Sequence, residues 1–194
     1  MKDIDMSIIN SVDIFKNNKS YLKELSLDTK NSEYMTESMT LAVNFDKVKT
    51  CYANSLNKSE ECLSSVDALV ELDERIVLIE FKNGKVKTPS VKHKMKDSLL
   101  LLCDILNTKI SETREIMDYI VVYNKEKNNS HKKNKVQESK SRDDIMGYLA
   151  DKADSEIVIF DLERYIDIFF KNIHTYDKQE FKDYLEKNKL YTIK

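Results

Sequence analysis

Apolar residues recur with two different periods along this chain, and each change of period marks a new element. Before about Ser32 they are scattered without a sustained stripe, so residues 1–31 read as an N-terminal extension to a single domain over 32–194. From Ser32 the spacing turns helical: Leu41, Phe45, Val48, Tyr52 and Leu56 share one face, which Glu37 continues one turn earlier. Residues 66–72 and 75–82 predict two strands joined by a tight turn at Asp73-Glu74, with Asn83-Gly84 ending the second. Within that strand, Ile76-Val77-Leu78-Ile79 is apolar on both faces, as a central strand covered from both sides requires. A second helical stripe follows at Val91, Met95, Leu99, Leu102 and Leu106, and residues 119–123 predict another buried strand. The lysine-rich tract from 124 to 142 lacks the apolar residues to pack and reads as a loop. Beyond it the pattern predicts a short helix over 143–153 and a strand over 156–160, while 162–173 fits either helix or strand. A terminal helix over 177–190 opens with Asp177 and Glu180 as a capping pair. That order predicts an α/β sandwich with a central mixed sheet flanked by helices.

Composition narrows the function classes. A chain of 194 residues, 41% hydrophobic, can bury one sizeable core. With 34% charged residues, no apolar run of bilayer length and no leader pattern after Met1-Lys2-Asp3, a cytoplasmic protein with no membrane partner is expected. Cys51, Cys62 and Cys103 have neither disulfide nor zinc-ligand spacing and read as reduced core thiols. His93, His131 and His174 are equally isolated, and Tyr165, Phe169, Phe170, Phe181 and Tyr184 read as packing aromatics. The formal net charge of -2 conceals a segregation: Lys82, Lys85, Lys87, Lys92, Lys94 and Lys96 stand in a stretch without an acid, and the 125–142 tract is basic as well. An acidic body with two basic stretches can steer a polyanion to one side.

The hairpin carries the candidate chemistry. If a two-residue loop sets Leu72 opposite Arg75, pairing outward sets Asp67 opposite Glu80. Opposed residues in an antiparallel pair have Cβ atoms about 5 Å apart, where two carboxylates repel unless something compensates them. Alternation places Glu80 and Lys82 on one strand face with Leu78, and Val77, Ile79 and Phe81 on the other. Two carboxylates and an ammonium at the end of a buried strand suit a hard divalent cation, and the lysine suits a role in orienting water or stabilising charge on a phosphate. A Glu-x-Lys dipeptide taken alone is more often a solvated ion pair.

The segments Ser65-Val66-Asp67-Ala68-Leu69-Val70 and Val77-Leu78-Ile79-Glu80-Phe81-Lys82-Asn83-Gly84 resemble the Asp...Glu-x-Lys signature of the PD-(D/E)xK superfamily, over roughly residues 33–124. Val66 stands where the motif's proline would be. The resemblance implies a restriction-endonuclease-like sandwich in which Asp67 and Glu80 ligate Mg2+ or Mn2+, joined by the Phe81 carbonyl, with Lys82 catalytic. It also implies a glutamate from the preceding helix, met here by Glu37 with Glu33 competing, and a lysine from the following helix, met by Lys94 or Lys92. Lys85, Lys92 and Lys94 would contact nucleic acid.

Two functions follow. The first is a Mg2+-dependent nuclease acting on DNA ahead of RNA, in bacterial defence, repair or a mobile element. The second is a non-catalytic interaction protein, immunity or antitoxin-like, that keeps the fold. The first makes nucleic acid the partner; the second makes it a protein, and a homodimer is compatible with both.

Overall fold

The computed structural model describes residues 8–72, 75–128 and 157–193. Two short helices, α1 (Ile8–Ser11) and α2 (Asp13–Lys16), precede β1 (Lys19–Tyr21), a one-turn helix α3 (Leu22–Leu25) and the small antiparallel pair β2 (Leu27–Asp28) and β3 (Glu33–Tyr34). Strand β4 (Leu41–Asn44) runs directly into helix α4 (Phe45–Ser55), and the hairpin β5 (Ala68–Leu72) and β6 (Arg75–Lys82) follows. Helix α5 (Thr88–Leu106) and helix α6 (Ile110–Ile116) lead to β7 (Met117–Tyr123), and β8 (Asn172–Tyr176) is followed by helix α7 (Lys178–Lys187).

The main sheet has six strands in the order β1-β4-β5-β6-β7-β8; the first four pair antiparallel, while β6, β7 and β8 are parallel. The protein is therefore α/β with a mixed sheet. Alternation along β6 divides the core into two layers. Ile76 and Leu78 face α4 and α5 with Val48, Val91, Met95 and Leu102, whereas Val77, Ile79 and Phe81 face α3 and α7 with Leu22, Phe181 and Leu185. Burial on both sides is what lets β6 carry an unbroken apolar run. Among the described residues no helix is long and apolar enough to cross a membrane.

The structure differs from the sequence pattern in three places. The helix expected from Ser32 does not exist before Phe45: residues 33–44 form β3, an irregular stretch and β4, and Leu41 points outward at 54% exposure. Phe45 and Val48 do bury one helical face, but carrying that period upstream mistakes a short strand for another turn of helix. Residues 157–160 form no ladder; Ile159 N–H donates to Thr175 Oγ1 at 3.1 Å, and that hydroxyl donates to the Ile157 carbonyl at 3.2 Å, so a side chain stands in for strand pairing. The ambiguous 162–173 stretch is mostly irregular, with a 3-10 turn at Glu163–Tyr165, and only its last two residues enter β8. The scattered apolar residues near the N-terminus belong to elements too short for a stripe, and Phe15 and Leu22 are nonetheless fully buried. The Asp73-Glu74 turn, the 129–142 part of the lysine-rich tract and the 143–153 helix lie outside the described residues.

Candidate functional site

The hairpin register is the one that sets Asp67 against Glu80. Leu72 pairs with Arg75 and Ala68 with Ile79, and just before β5 the Asp67 N–H donates to the Ile79 carbonyl at 3.1 Å. The chain then leaves the sheet, because the segment ahead of Asp67 is held by the flanking helices. Val66 N–H donates to the buried Ser98 hydroxyl at 2.8 Å, Ser64 N–H to Asp97 Oδ2 at 2.8 Å, and the Ser65 hydroxyl to Asp46 Oδ1 at 2.5 Å. Asp67 is thus fixed between α4 and α5 at the point where β6 loses its neighbour. Its Oδ2 accepts from the Phe81 N–H at 2.6 Å. The N–H and carbonyl of one strand residue lie on the same edge, so the Phe81 carbonyl is directed to this side too.

Glu80 is fully buried on the α5 side, and Lys82, two residues on, forms an ion pair with its Oε1. Lys94 reaches in from α5: its Nζ lies 3.3 Å from Asp67 Oδ1, 3.0 Å from Glu80 Oε1 and 3.1 Å from Glu80 Oε2. Two ammonium groups therefore face two carboxylates. Glu80 Oε1 has both ammoniums beside it but neither in hydrogen-bonding alignment.

Electrostatics follow from burial. Burial foremost, then the Asp67 carboxylate, pushes the Glu80 carboxyl up to about 7, against the pull of Lys94 and Lys82. Burial also raises Asp67, although its side chain keeps 18% exposure to the cleft; Lys94, the Phe81 N–H and Lys82 oppose that rise and Asp46 adds to it. For Lys94 burial favours the neutral amine, but Glu80 and Asp67 together outweigh it and hold the ammonium more firmly protonated than usual. The buried Tyr119 hydroxyl, raised by burial and then by Glu80 and Asp67, stays neutral.

Asp67 is the divide between two openings. One, of about 800 Å³, lies against α4 and is lined by Glu24, Asp46, Lys47, Lys49, Glu60 and Glu61 among others. The other, of about 330 Å³, lies under the β2–β3 turn and is lined by Asp28, Lys30, Met35, Phe81, Lys82 and Asn83 among others. Asp67 lines both openings and Lys82 the smaller one, whereas Glu80 is closed off behind them and lines neither.

Of the residues singled out from the sequence, Asp67, Glu80, Phe81, Lys82 and Lys94 come together. Lys92 does not join them: it pairs with Asp161 at 2.5 Å. Lys85 is exposed beyond the end of β6. Glu37 lies between β3 and β4, outside any helix or strand, is 59% exposed and pairs with Lys23 at 2.6 Å, so it is not a helical residue aimed at the sheet. Glu33 does not join them either: it accepts from Asn83 Nδ2 at 2.8 Å and pairs with Lys178. Asp46 was missed. It sits in the first turn of α4, and its signal was the helix start at Asn44, whose side chain caps the Lys47 N–H at 3.0 Å.

Among the described residues no group of three or more His, Cys, Asp or Glu side chains is arranged to hold a metal ion. The donor set still fits one kind of cation. Mg2+ typically takes one or two protein carboxylates and completes its shell with water and substrate oxygen, a demand that Asp67, Glu80 and the Phe81 carbonyl can meet. Comparison of the chain with family models, with curated proteins and with solved structures finds no significant match in any of the three.

Proposed function

We propose that the protein is a metal-dependent nuclease with a restriction-endonuclease-like arrangement of its sheet, hydrolysing phosphodiesters in DNA ahead of RNA. The observation that carries this reading is the convergence of Asp67, Glu80 and Lys82 on one side of the end of β6, beside an open cleft. Asp67 and Glu80, with the Phe81 carbonyl, would hold Mg2+ or Mn2+, which would supply Lewis acidity at the phosphoryl group. The chain's own residues account for the rest. Lys82 places a positive charge beside Glu80, where it can orient an attacking water and stabilise charge on the phosphate. Glu80, whose carboxyl is held up to about 7 by burial and by Asp67, would give up its proton near neutral pH to hold the cation. Asp67, tied to the Phe81 N–H, keeps one oxygen fixed and turns the other toward the cluster.

A second reading has one observation in its favour. The two carboxylates are already matched by two ammonium groups, so the cluster is complete as a structural ion-pair network, as a non-catalytic interaction protein would retain it. Incubation with supercoiled, linear and single-stranded DNA and with RNA, in Mg2+, Mn2+ or EDTA, decides between them. The nuclease reading expects cation-dependent cleavage that Asp67→Ala, Glu80→Ala and Lys82→Ala each abolish, with the variants still folded. Full activity in any one of the three overturns the assignment.

A further inference from the structure

We propose that the Lys94 ammonium is the resident counter-ion of this site and must be displaced before Asp67 and Glu80 can share a divalent cation. The inference rests on the metal reading above and adds a determinant of cation affinity outside the hairpin.

The geometry places the ammonium where the two carboxylates meet. Lys94 Nζ lies 3.0 to 3.3 Å from one oxygen of Asp67 and both oxygens of Glu80, so it spans the pair. Lys82, by contrast, touches Glu80 alone. A cation bound to oxygens of both carboxylates, at the roughly 2.1 Å of a Mg2+–oxygen bond, would lie against the ammonium, and the two positive charges would repel in a buried setting. The chain can also let the ammonium go. Lys94 is 23% exposed on a long flexible stem, while the α5 backbone beneath it is anchored by the buried Val91 and Met95. Asp46 lies close enough to add to the field that holds Lys94 protonated, and it lines the larger opening, so a displaced ammonium has a third carboxylate nearby.

Binding of Mn2+ by itself tests this, followed by titration calorimetry and by the melting temperature with and without the ion. Lys94→Met should bind Mn2+ at least tenfold more tightly than the unmodified protein, whereas Lys94→Arg, which keeps the charge, should bind no more tightly. Without metal, Lys94→Met should melt lower, because Glu80 and Asp67 lose their shared partner, and Mn2+ should raise its melting temperature further than it raises that of the unmodified protein. Should the methionine variant fail to fold, Lys94→Gln, neutral but still a hydrogen-bond donor, makes the same comparison. Equal or weaker Mn2+ binding by the neutral variants, with binding by the unmodified protein that Asp67→Asn removes, overturns the role of Lys94 and leaves the metal site standing. Absence of Mn2+ binding in every form overturns both.

Discussion

Glu80 is the residue on which most of the electrostatics turns, because it is fully buried yet acidic. Its carboxyl titrates near 7 in the fold against an ordinary 4.5, so between those values the native state holds a proton that the unfolded chain has released. Stability from this group is therefore present below about pH 4.5 and is lost as pH rises to 7, by up to about 3 kcal/mol. Asp67 is shifted in the same direction, so the comparison must be with a variant that alters Glu80 alone. In EDTA, the melting temperature of the unmodified protein should fall relative to Glu80→Gln between pH 5 and pH 8. Parallel profiles would show that Glu80 ionises as an ordinary surface acid. With Mn2+ present the direction reverses, since proton and cation compete for the same oxygens and affinity should climb through neutral pH.

At the scale of elements, the start of α4 matters because it sets Asp46 beside the site. Asn44 ends β4 and caps α4 in a single residue, and Asn44→Ala should cost about 1 kcal/mol in chemical denaturation. A loss well below that would mean that the β4–α4 junction is held by the sheet instead. That junction also marks the limit of what the sequence showed. The β5–β6 hairpin was legible because strand alternation and a two-residue loop leave one register, and that register puts Asp67 opposite Glu80. The terminal helix was legible from its cap: Asp177 accepts from the Gln179 and Glu180 N–H groups, and Glu180 returns a bond to the Asp177 N–H at 2.7 Å. The 33–44 segment was not, because a four-residue strand abutting a helix shares enough apolar positions to imitate one more turn, and Glu37 was carried onto the wrong element with it. Lys94 and Lys92 could not be separated by spacing alone, since both flank the buried stripe of α5. They stand on opposite flanks of that stripe, and it is the fold that sets Glu80 beside one flank, at Lys94, and Asp161 beside the other, at Lys92.

Across the whole molecule, charge is distributed so that approach and chemistry make opposite demands. The larger opening is lined by Glu24, Asp46, Glu60, Glu61 and Asp67 against Lys47 and Lys49, a balance that repels a polyanion unless cations intervene. On the nuclease reading, attraction has to come from outside that opening, and Lys85 and Lys87 stand exposed between β6 and α5, at the same end of the sheet as Lys82. If they contact phosphates, each releases counter-ions on binding, and affinity falls with salt at about 0.9 in the log–log slope per contact on duplex DNA. In a Lys82→Ala background, which permits binding to be read without cleavage, Lys85→Gln with Lys87→Gln should weaken DNA binding evenly across sequences and flatten that slope by roughly 2. Fluorescence anisotropy over a salt series measures both. An unchanged slope with unchanged affinity would remove these two lysines from the interface and leave the basic tract beyond Asn128 to supply the attraction. Deleting residues 129–140 from the same background then gives the complementary measurement, and the slope should flatten there instead.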